Sequence, residues 1–174
     1  MDGQLVGLQR IYSAPIPGRD TDRLFSSGTA KTGAMHALTA LSDDTAQIII
    51  AEGYATAASV YEATGYPTVV AFDAGNLRPV AEALREKYPS AQIIIAADND
   101  VRKPGSSTTI NIGIEKATDA AMAVDGWIAV PELNGTKCDW NDVHAASGPD
   151  AVAAGIALAQ PVKRPEAPAT AELS

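Results

Sequence analysis

Two nearly identical apolar runs constrain the fold of this chain more than any other feature. The letters Ala-Gln-Ile-Ile-Ile-Ala occur at 46–51 and again at 91–96. Each run is short and almost continuously apolar, which is typical of a strand that is buried on both faces of a sheet. We therefore predict a parallel sheet whose central strands are covered by helices on both sides.

Further strands and helices alternate with these runs. Strands are predicted over 68–72 and 127–130, and helices over 54–64, 77–87, 110–124, 140–146 and 151–159. This order, with short connections, predicts an α/β fold with a parallel sheet of about four strands flanked by helices.

The two ends of the chain differ from this pattern. Segments 4–12 and 23–27 favour β-structure around Pro and Gly breakers, so residues 1–42 are predicted to form a small β-containing lead-in. The α/β domain is predicted over 43–160. Residues 161–174 contain three prolines and little periodicity, and they are predicted to be a tail or linker.

Charge and cysteine content narrow the class of protein. The net charge of −8 argues against a general basic nucleic-acid binder, although the first forty residues carry a small positive excess. The single cysteine excludes an intramolecular disulfide and a cysteine-rich zinc site. The sequence shows no signal-peptide pattern and no apolar run long enough for a membrane span, so we expect a cytoplasmic protein with no membrane partner.

Acidic side chains follow every predicted strand. They are Glu52, Asp73, the pair Asp98 and Asp100, and, after the last strand, Asp139 and Asp142. The carboxyl ends of parallel strands meet at one edge of the sheet, where open α/β sheets bind their ligands. Carboxylates without a histidine or thiolate cluster favour Mg²⁺ or Mn²⁺ over zinc. The sequence therefore predicts a divalent-metal site for phosphoryl chemistry.

Each acidic residue also has a simpler interpretation. The Asp98-Asn-Asp100 segment is compatible with a solvated turn that caps a helix, and Glu52 with an acid placed at a helix start. Asp73 fits turn chemistry better than catalysis, and Asp142 fits a solvated helix face. The joint pattern is stronger than its parts because the fold predicts that these loops converge.

The glutamate after one strand and the Asp-x-Asp after a later one resemble the signature of the Toprim domain. This domain occurs in bacterial-type primases, type IA and type II topoisomerases, nucleases of the OLD family and RecR-like repair proteins. The matching segments are Ile48-Ile-Ile-Ala-Glu52-Gly53 and Ile93-Ile-Ile-Ala-Ala-Asp98-Asn-Asp100, and the resemblance covers about residues 46–145.

Looser motifs resemble one group within that family, the TraC-like primases of plasmids, integrative conjugative elements and phages. These motifs are the leader 2–12, Lys31-Thr-Gly-Ala-Met-His36, Ala71-Phe-Asp-Ala-Gly-Asn76 and Asp139-Trp-Asn-Asp142. This second resemblance implies a Rossmann-like Toprim fold preceded by a small β lead-in, and it implies the activity of a DNA primase.

The resemblance also implies roles for single residues. Glu52 would be the catalytic acid/base that activates the 3′-hydroxyl, and Asp98 and Asp100 would hold Mg²⁺ or Mn²⁺. Asp142 would be an additional metal ligand. The candidate residues for binding nucleotide or nucleic acid are Arg10, Lys31, Asn76, Arg102 and Lys103. For the four basic residues in this set, an ordinary exposed charge is an equally open interpretation.

The family implies partners that this chain cannot supply alone. A primase takes ribonucleoside triphosphates and a single-stranded DNA template, and related primases carry a zinc-binding domain and often a helicase. With one cysteine, that zinc site would lie on a longer parent protein or on a partner, or the chain would be an isolated catalytic core without one.

Three functions remain open at this point. The first is the catalytic module of a DNA primase, and the second is a Toprim-type nuclease or topoisomerase-like enzyme that cleaves strands. The third is a non-catalytic nucleic-acid-binding module. A topoisomerase needs a nucleophilic tyrosine, and we expect Tyr54, Tyr61 and Tyr66 to be packed around the first Toprim helix instead.

Overall fold

The two repeated runs are neighbouring parallel strands, paired residue for residue. In the computed structural model, which describes residues 3–19, 21–100 and 111–163, Gln47 pairs with Gln92 and Ala51 pairs with Ala96. The elements are β1 (Gln9–Ile11), β2 (Arg23–Phe25), β3 (His36–Ala37), β4 (Gln47–Ala51), α1 (Tyr54–Thr64), β5 (Thr68–Val70), a 3-10 helix (Ala74–Asn76), α2 (Leu77–Lys87), β6 (Gln92–Ala96), α3 (Ile112–Ala123), β7 (Trp127–Ala129), α4 (Trp140–Ser147), α5 (Pro149–Ala157) and β8 (Gln160–Pro161).

The main sheet has the order β3-β5-β4-β6-β7-β8. Its four central strands are mutually parallel, which confirms the predicted α/β fold with about four parallel strands flanked by helices. The strands β3 and β8 add antiparallel edges that the sequence did not predict. Each has only two residues, too few for a periodic pattern to show.

The two edge strands bear on where the main sheet begins and ends along the chain. β3 lies within the predicted lead-in, yet it pairs with β5 in the main sheet. At the other end, the N–H of Val162 donates a hydrogen bond to the carbonyl of Gly126, two residues past the predicted domain limit. The sheet therefore extends at both ends beyond the domain predicted from the apolar pattern.

Both faces of the sheet are covered, as the apolar runs require. Ile48, Ile50, Ile93 and Ile95 pack toward α2 and α3 in one core cluster, and Ile49 and Ile94 pack toward α1, α4 and α5 in the other. All six side chains are buried because successive residues of a strand point to opposite faces.

The lead-in forms an antiparallel hairpin in which Gln9 pairs with Phe25. It lies against the main domain through an edge-to-face contact between Phe25 and Phe72, whose ring centroids are 5.8 Å apart. Within the residues that the structure describes, no helix is long and apolar enough to cross a membrane.

Candidate active site

The register of the two central strands brings the predicted catalytic and metal-binding carboxylates to one edge. Because Ala51 and Ala96 are paired, Glu52 and Asp98 leave the sheet at the same end. Electrostatic effects confirm their proximity, since Glu52 and Asp100 both raise the pKa of Asp98. The structure thus places Glu52, Asp98 and Asp100 together, as the fold predicts.

Asp98 has the most perturbed environment in this group. Burial, which is the largest cause, and the charges of Glu52, Asp139 and Asp100 together raise its pKa to about 7, against a lowering effect of Lys137. Its Oδ1 atom is buried and has no hydrogen-bond partner among the described residues. A buried carboxylate oxygen without a donor is costly in a folded protein unless a proton or a cation satisfies it.

Glu52 has a raised pKa for the same main reason, desolvation by burial. Asp100 and Asp73 raise the pKa further, whereas Arg23 and the backbone N–H of Ala74 lower it. Arg23 extends from the hairpin to this edge. Its Nη1 lies 3.4 Å from the position that a Cβ on Gly53, the residue after Glu52, would occupy. The lead-in therefore places a positive charge beside the predicted catalytic glutamate.

The segment after β6 is held by a pair of backbone hydrogen bonds to the loop before α4. The N–H of Asn99 donates to the carbonyl of Cys138 at 2.9 Å, and the N–H of Cys138 donates back at 3.0 Å. This antiparallel bridge sets Asp100 opposite Lys137, whose Nζ lies 2.6 Å from Asp100 Oδ1. It also sets Asp98 opposite Asp139.

Two asparagines fix the shape of this segment. Asn99 is buried and donates its Nδ2 to the carbonyl of Pro131 at 2.9 Å. Asn111 donates its Nδ2 to Asn99 Oδ1 at 2.9 Å, and its own Oδ1 accepts from the N–H groups of Asp100 and Ile114. Asn111 is therefore both the N-cap of α3 and a brace for the Asp-x-Asp segment.

The start of α3 packs directly against the same segment. A Cβ on Gly113 would collide with the carbonyl oxygen of Asp98 and would lie 3.1 Å from Asp100 Oδ2. Only a glycine allows the helix to approach this closely. The tertiary contact therefore requires glycine at a helix position where its intrinsic propensity is poor.

Asp142 has a structural role at the start of α4. Its Oδ2 accepts from the N–H of Asp139 at 3.0 Å, and its own N–H donates to Asp139 Oδ1 at 2.9 Å, which together form a capping box. Asp139 is the member of this pair whose charge raises the pKa of Asp98. The cap uses one carboxylate oxygen of Asp142, so the metal role predicted for it stays a prediction.

The donor set fits a hard divalent cation. Its groups are carboxylates with hard oxygen atoms, two of them have raised pKa values, and one oxygen is buried without a partner. In the part of the chain that the structure describes, no three His, Cys, Asp or Glu side chains lie close enough to coordinate one ion as they stand. The ammonium of Lys137 lies beside Asp100.

The structure gives Asn76 a structural role. The side chain is buried, its Nδ2 donates to the carbonyls of Ala34 and Ala71 at 2.8 Å each, and its Oδ1 accepts from the N–H of Gly33 at 2.7 Å. Both amide hydrogens are used, so Asn76 ties the lead-in to the main domain, and the nucleotide contact predicted for it stays a prediction. Asp73 accepts from the N–H of Asn76, which agrees with turn chemistry.

A cavity of about 470 Å³ lies between the hairpin and the main domain. Its walls are largely apolar and aromatic, and its lining includes Lys31, Phe25, His36, Tyr54 and Phe72. The ammonium of Lys31 lies 4.1 Å from the centroid of the Phe25 ring, and the rings of His36 and Tyr54 are stacked with centroids 6.5 Å apart.

The other predicted binding residues are placed differently. Arg10 is exposed on β1 and does not line this cavity. Arg102 and Lys103 lie outside the described residues. The expectation that Tyr54, Tyr61 and Tyr66 are packed is wrong, because each is at least 36% exposed.

Sequence reasoning missed two contributors to the site, Lys137 and Asn111, and it named a third, Asp139, only as one of the acidic residues after the last strand. Lys137 is distant in sequence from Asp100, and only the backbone bridge brings them together. Asn111 carries the sequence signal of a helix N-cap, although its brace to Asn99 does not show in sequence. Asp139 is signalled by the Asp-x-x-Asp spacing of a capping box.

Sequence comparison identifies a family and relatives of this chain. Residues 47–150 match the family model described as the Toprim domain. Two curated relatives, both DNA primase TraC from Escherichia coli, are 42% and 43% identical over 114 residues, which is 64% of this chain. The aligned part is 11% and 8% of those relatives, so the chain spans about a tenth of their length.

Structural comparison gives the same fold. The RNA polymerase domain of Mycobacterium tuberculosis primase DnaG is similar with a TM-score of 0.59 and 17% identity, covering 92% of this chain and 53% of that one. The DnaG primase catalytic domain bound to single-stranded DNA is similar with a TM-score of 0.58 and 16% identity, covering 92% and 49%. At these identities the likeness concerns the fold alone. Because the family model matches more than half of its residues, the chain belongs to the Toprim domain family.

Proposed function

We propose that this chain is the catalytic Toprim module of a DNA primase, which synthesises short RNA primers from ribonucleoside triphosphates on single-stranded DNA with Mg²⁺ or Mn²⁺. The observation that carries this proposal is the convergence of Glu52, Asp98 and Asp100 at the carboxyl edge of β4 and β6. The primase names of the TraC relatives support the choice of reaction.

The environment of Asp98 supports its role in holding a cation. Its unpartnered buried oxygen and its raised pKa indicate that an ionised Asp98 is poorly stabilised by the rest of the protein. We assign Asp98 and Asp100 as the residues that hold the metal. A bound divalent ion would supply charge neutralisation for the triphosphate and for the leaving pyrophosphate.

Glu52 is assigned as the group that accepts the proton of the attacking 3′-hydroxyl. Its raised pKa makes it a stronger base than an exposed glutamate, as a general base near neutral pH requires. Arg23 opposes that rise. The desolvated edge thus serves two purposes, since it raises the basicity of Glu52 and favours cation binding at Asp98.

The cavity beside this edge has the chemistry of a base-binding pocket. Flat aromatic and imidazole side chains are suited to stacking on nucleobases, and a nearby ammonium is suited to phosphate. We assign the cavity to the base of a bound nucleotide or template residue, with Lys31 as its phosphate contact. Arg10, Arg102 and Lys103 are proposed as further contacts to the nucleic-acid backbone.

The net charge of −8 does not contradict this function. The acidic residues at the carboxyl edge account for part of it, and a bound metal would offset the local negative field. The remaining acidity favours weak, metal-dependent contact with DNA. Tighter template binding is assigned to a zinc-binding or helicase domain of a longer parent protein or a partner.

The test is primer synthesis by the purified chain with single-stranded DNA, four ribonucleotides and Mg²⁺. We expect RNA oligomers from the wild type, and a loss of at least about a hundredfold in Glu52→Gln and Asp98→Asn, as for removal of an essential acid/base or metal ligand. Glu86→Gln is the matched control, because Glu86 is exposed near the C-terminal end of α2.

Other outcomes separate the remaining functions. Cleaved DNA without RNA synthesis favours the strand-cleaving enzyme. Absence of both activities, together with no Mn²⁺ binding in calorimetry, contradicts the proposed metal site and favours the non-catalytic binding module.

A further inference from the structure

We propose that Lys137 alternates between two anionic partners, pairing with Asp100 in the metal-free protein and with the triphosphate of the nucleotide once a divalent metal is bound. This inference rests on the proposed function and deepens it. It starts from the contact of 2.6 Å between Lys137 Nζ and Asp100 Oδ1.

The position of Lys137 is fixed by the backbone rather than by chance contact of two long side chains. The double hydrogen bond between Asn99 and Cys138 places their neighbours Asp100 and Lys137 opposite each other across an antiparallel bridge. The capping box at Asp139 anchors the loop on its other side. The base of the Lys137 side chain therefore stays next to the metal edge whatever its ammonium contacts.

Lys137 interacts electrostatically with all three proposed functional carboxylates. The hydrogen bond that Lys137 donates to Asp100 raises the pKa of Lys137 most, and the charges of Asp98 and Glu52 add to it. Lys137 in turn lowers the pKa of Asp98. The ammonium thus acts as the counter-ion of the cluster in the absence of a metal.

A divalent ion and this ammonium are competitors for the same oxygens. Once a metal binds Asp98 and Asp100, like-charge repulsion drives the ammonium away from Asp100. The side chain is 73% exposed, so it has room to move without unpacking the core. Its most accessible new partner is the phosphate group that the metal brings to this edge, because a lysine binds phosphate as a compact point charge.

The ion pairs of Arg78 have a different character. Arg78 pairs with Glu82 at 2.9 Å and with Asp119 at 3.3 Å, which links the exposed faces of α2 and α3. None of those groups belongs to the carboxyl-edge cluster. A purely structural ion pair of that kind has no reason to respond to a metal, whereas the Lys137 pair does.

In the first measurement, the nucleotide-free protein is titrated with Mn²⁺. Binding is monitored by calorimetry and by the electron paramagnetic resonance signal of free Mn²⁺. Lys137→Met removes the competing charge, and we expect Mn²⁺ to bind about three- to tenfold more tightly, as suits an exposed ion pair. Lys163→Met is the matched control. The N–H of the preceding residue, Val162, donates to the carbonyl of Gly126, which lies before β7 and therefore at the end of the sheet opposite the carboxyl edge. It should leave Mn²⁺ affinity unchanged.

The second measurement is the affinity of a non-hydrolysable ribonucleoside triphosphate at saturating Mn²⁺. Lys137→Met is expected to weaken this binding about tenfold, the loss typical of one hydrogen bond to a charged group. Lys137→Arg keeps the positive charge and should lie between the wild type and Lys137→Met in both measurements. The expected signature of Lys137→Met is tighter Mn²⁺ binding together with weaker nucleotide binding. If Lys137 only supported the loop, the substitution would weaken both affinities.

The outcomes separate this inference from the proposed function. Mn²⁺ binding that is lost in Asp98→Asn but unaltered or weakened in Lys137→Met overturns the role of Lys137 and leaves the metal site intact. Nucleotide affinity that is equal in the wild type and Lys137→Met overturns it as well. A wild-type protein that binds no Mn²⁺ overturns the metal site and the inference together.

Discussion

Asn99 and Cys138 exchange both of their backbone hydrogen bonds, at 2.9 and 3.0 Å, and this bridge organises the candidate active site. It joins the Asp-x-Asp segment after β6 to the loop that follows β7. As a result Asp100 faces Lys137 and Asp98 faces Asp139. Carboxylates and a counter-ion from two distant parts of the chain therefore occupy one edge of the sheet.

The side chain of Asn99 is expected to stabilise this arrangement. Asn99→Ala removes the bond to the carbonyl of Pro131 and leaves Nδ2 of Asn111 without its acceptor. Because Asn99 is buried, we expect the free energy of unfolding to fall by about 1–3 kcal/mol. Urea denaturation measures this, with Glu86→Gln as an exposed control. A loss equal to that of the control would mean that the network contributes nothing to stability.

Replacement of Gly113 by alanine is expected to destabilise the protein, although the same change in an ordinary helix is favourable. Alanine normally stabilises a helix interior by about 0.5–1 kcal/mol relative to glycine. Here the added Cβ would collide with the carbonyl of Asp98, so we expect a loss of about 1–3 kcal/mol, typical of overpacking. Thermal and urea denaturation of Gly113→Ala show whether the free energy of unfolding falls or rises. A stabilised variant would show that α3 shifts away from the segment at no cost.

The stability of the metal-free protein is expected to fall as the pH rises toward neutrality. The usual pKa of an aspartate, 3.8, is raised to about 7 at Asp98, so the folded state holds this proton more tightly than the unfolded chain. The folded protein is therefore favoured at low pH, and this contribution is lost as the pH rises from about 4 to about 7. The raised pKa of Glu52 acts in the same direction.

Asp98→Asn tests this pH dependence directly. The variant cannot ionise at this position, so it should be more stable than the wild type above pH 7 without metal, and its stability should change less with pH. Urea denaturation between pH 4 and pH 8 measures both effects in the presence of a chelator. Parallel pH curves for the two proteins would contradict the assigned environment of Asp98.

Added Mg²⁺ is expected to raise the melting temperature at pH 8, because a ligand that binds the folded state alone stabilises it. At a concentration one hundred times its dissociation constant, the gain is about 2.7 kcal/mol. Asp98→Asn should abolish this gain, whereas Lys163→Met should keep it. Differential scanning calorimetry with a chelator reversal gives the comparison. Equal stabilisation of Asp98→Asn and wild type would place the metal elsewhere.

Removal of the charge of Arg23 is expected to shift the pH profile of primer synthesis. Arg23 lowers the pKa of Glu52, so Arg23→Met raises that pKa further. If Glu52 must be ionised to accept a proton, the acidic limb of the rate profile moves to higher pH. Arg19→Met, which removes a charge from the exposed hairpin loop, is the control and should leave the limb in place. If the acidic limb does not move in Arg23→Met, Arg23 does not influence the function of Glu52.

Much of the architecture could be read from the chain alone. The two Gln-Ile-Ile-Ile-Ala runs are identical at every position of their pairing, and an apolar run buried on both faces leaves few alternatives to a central parallel strand. The helices α1 and α2 begin and end where the apolar spacing predicted them. The convergence of Glu52, Asp98 and Asp100 followed from the fold class, since parallel strands deliver their carboxyl ends to one edge.

The tertiary structure decided what these residues contact. Sequence spacing carries no record of the bridge that brings Lys137 to Asp100, nor of the bonds that bury Asn76 between the lead-in and the main domain. Gly113 illustrates the same point, because its intrinsic helix propensity is poor and only the approach of Asp98 explains its presence. Local patterns determine strands and helices, whereas the pairing of loops depends on how the whole sheet positions its ends.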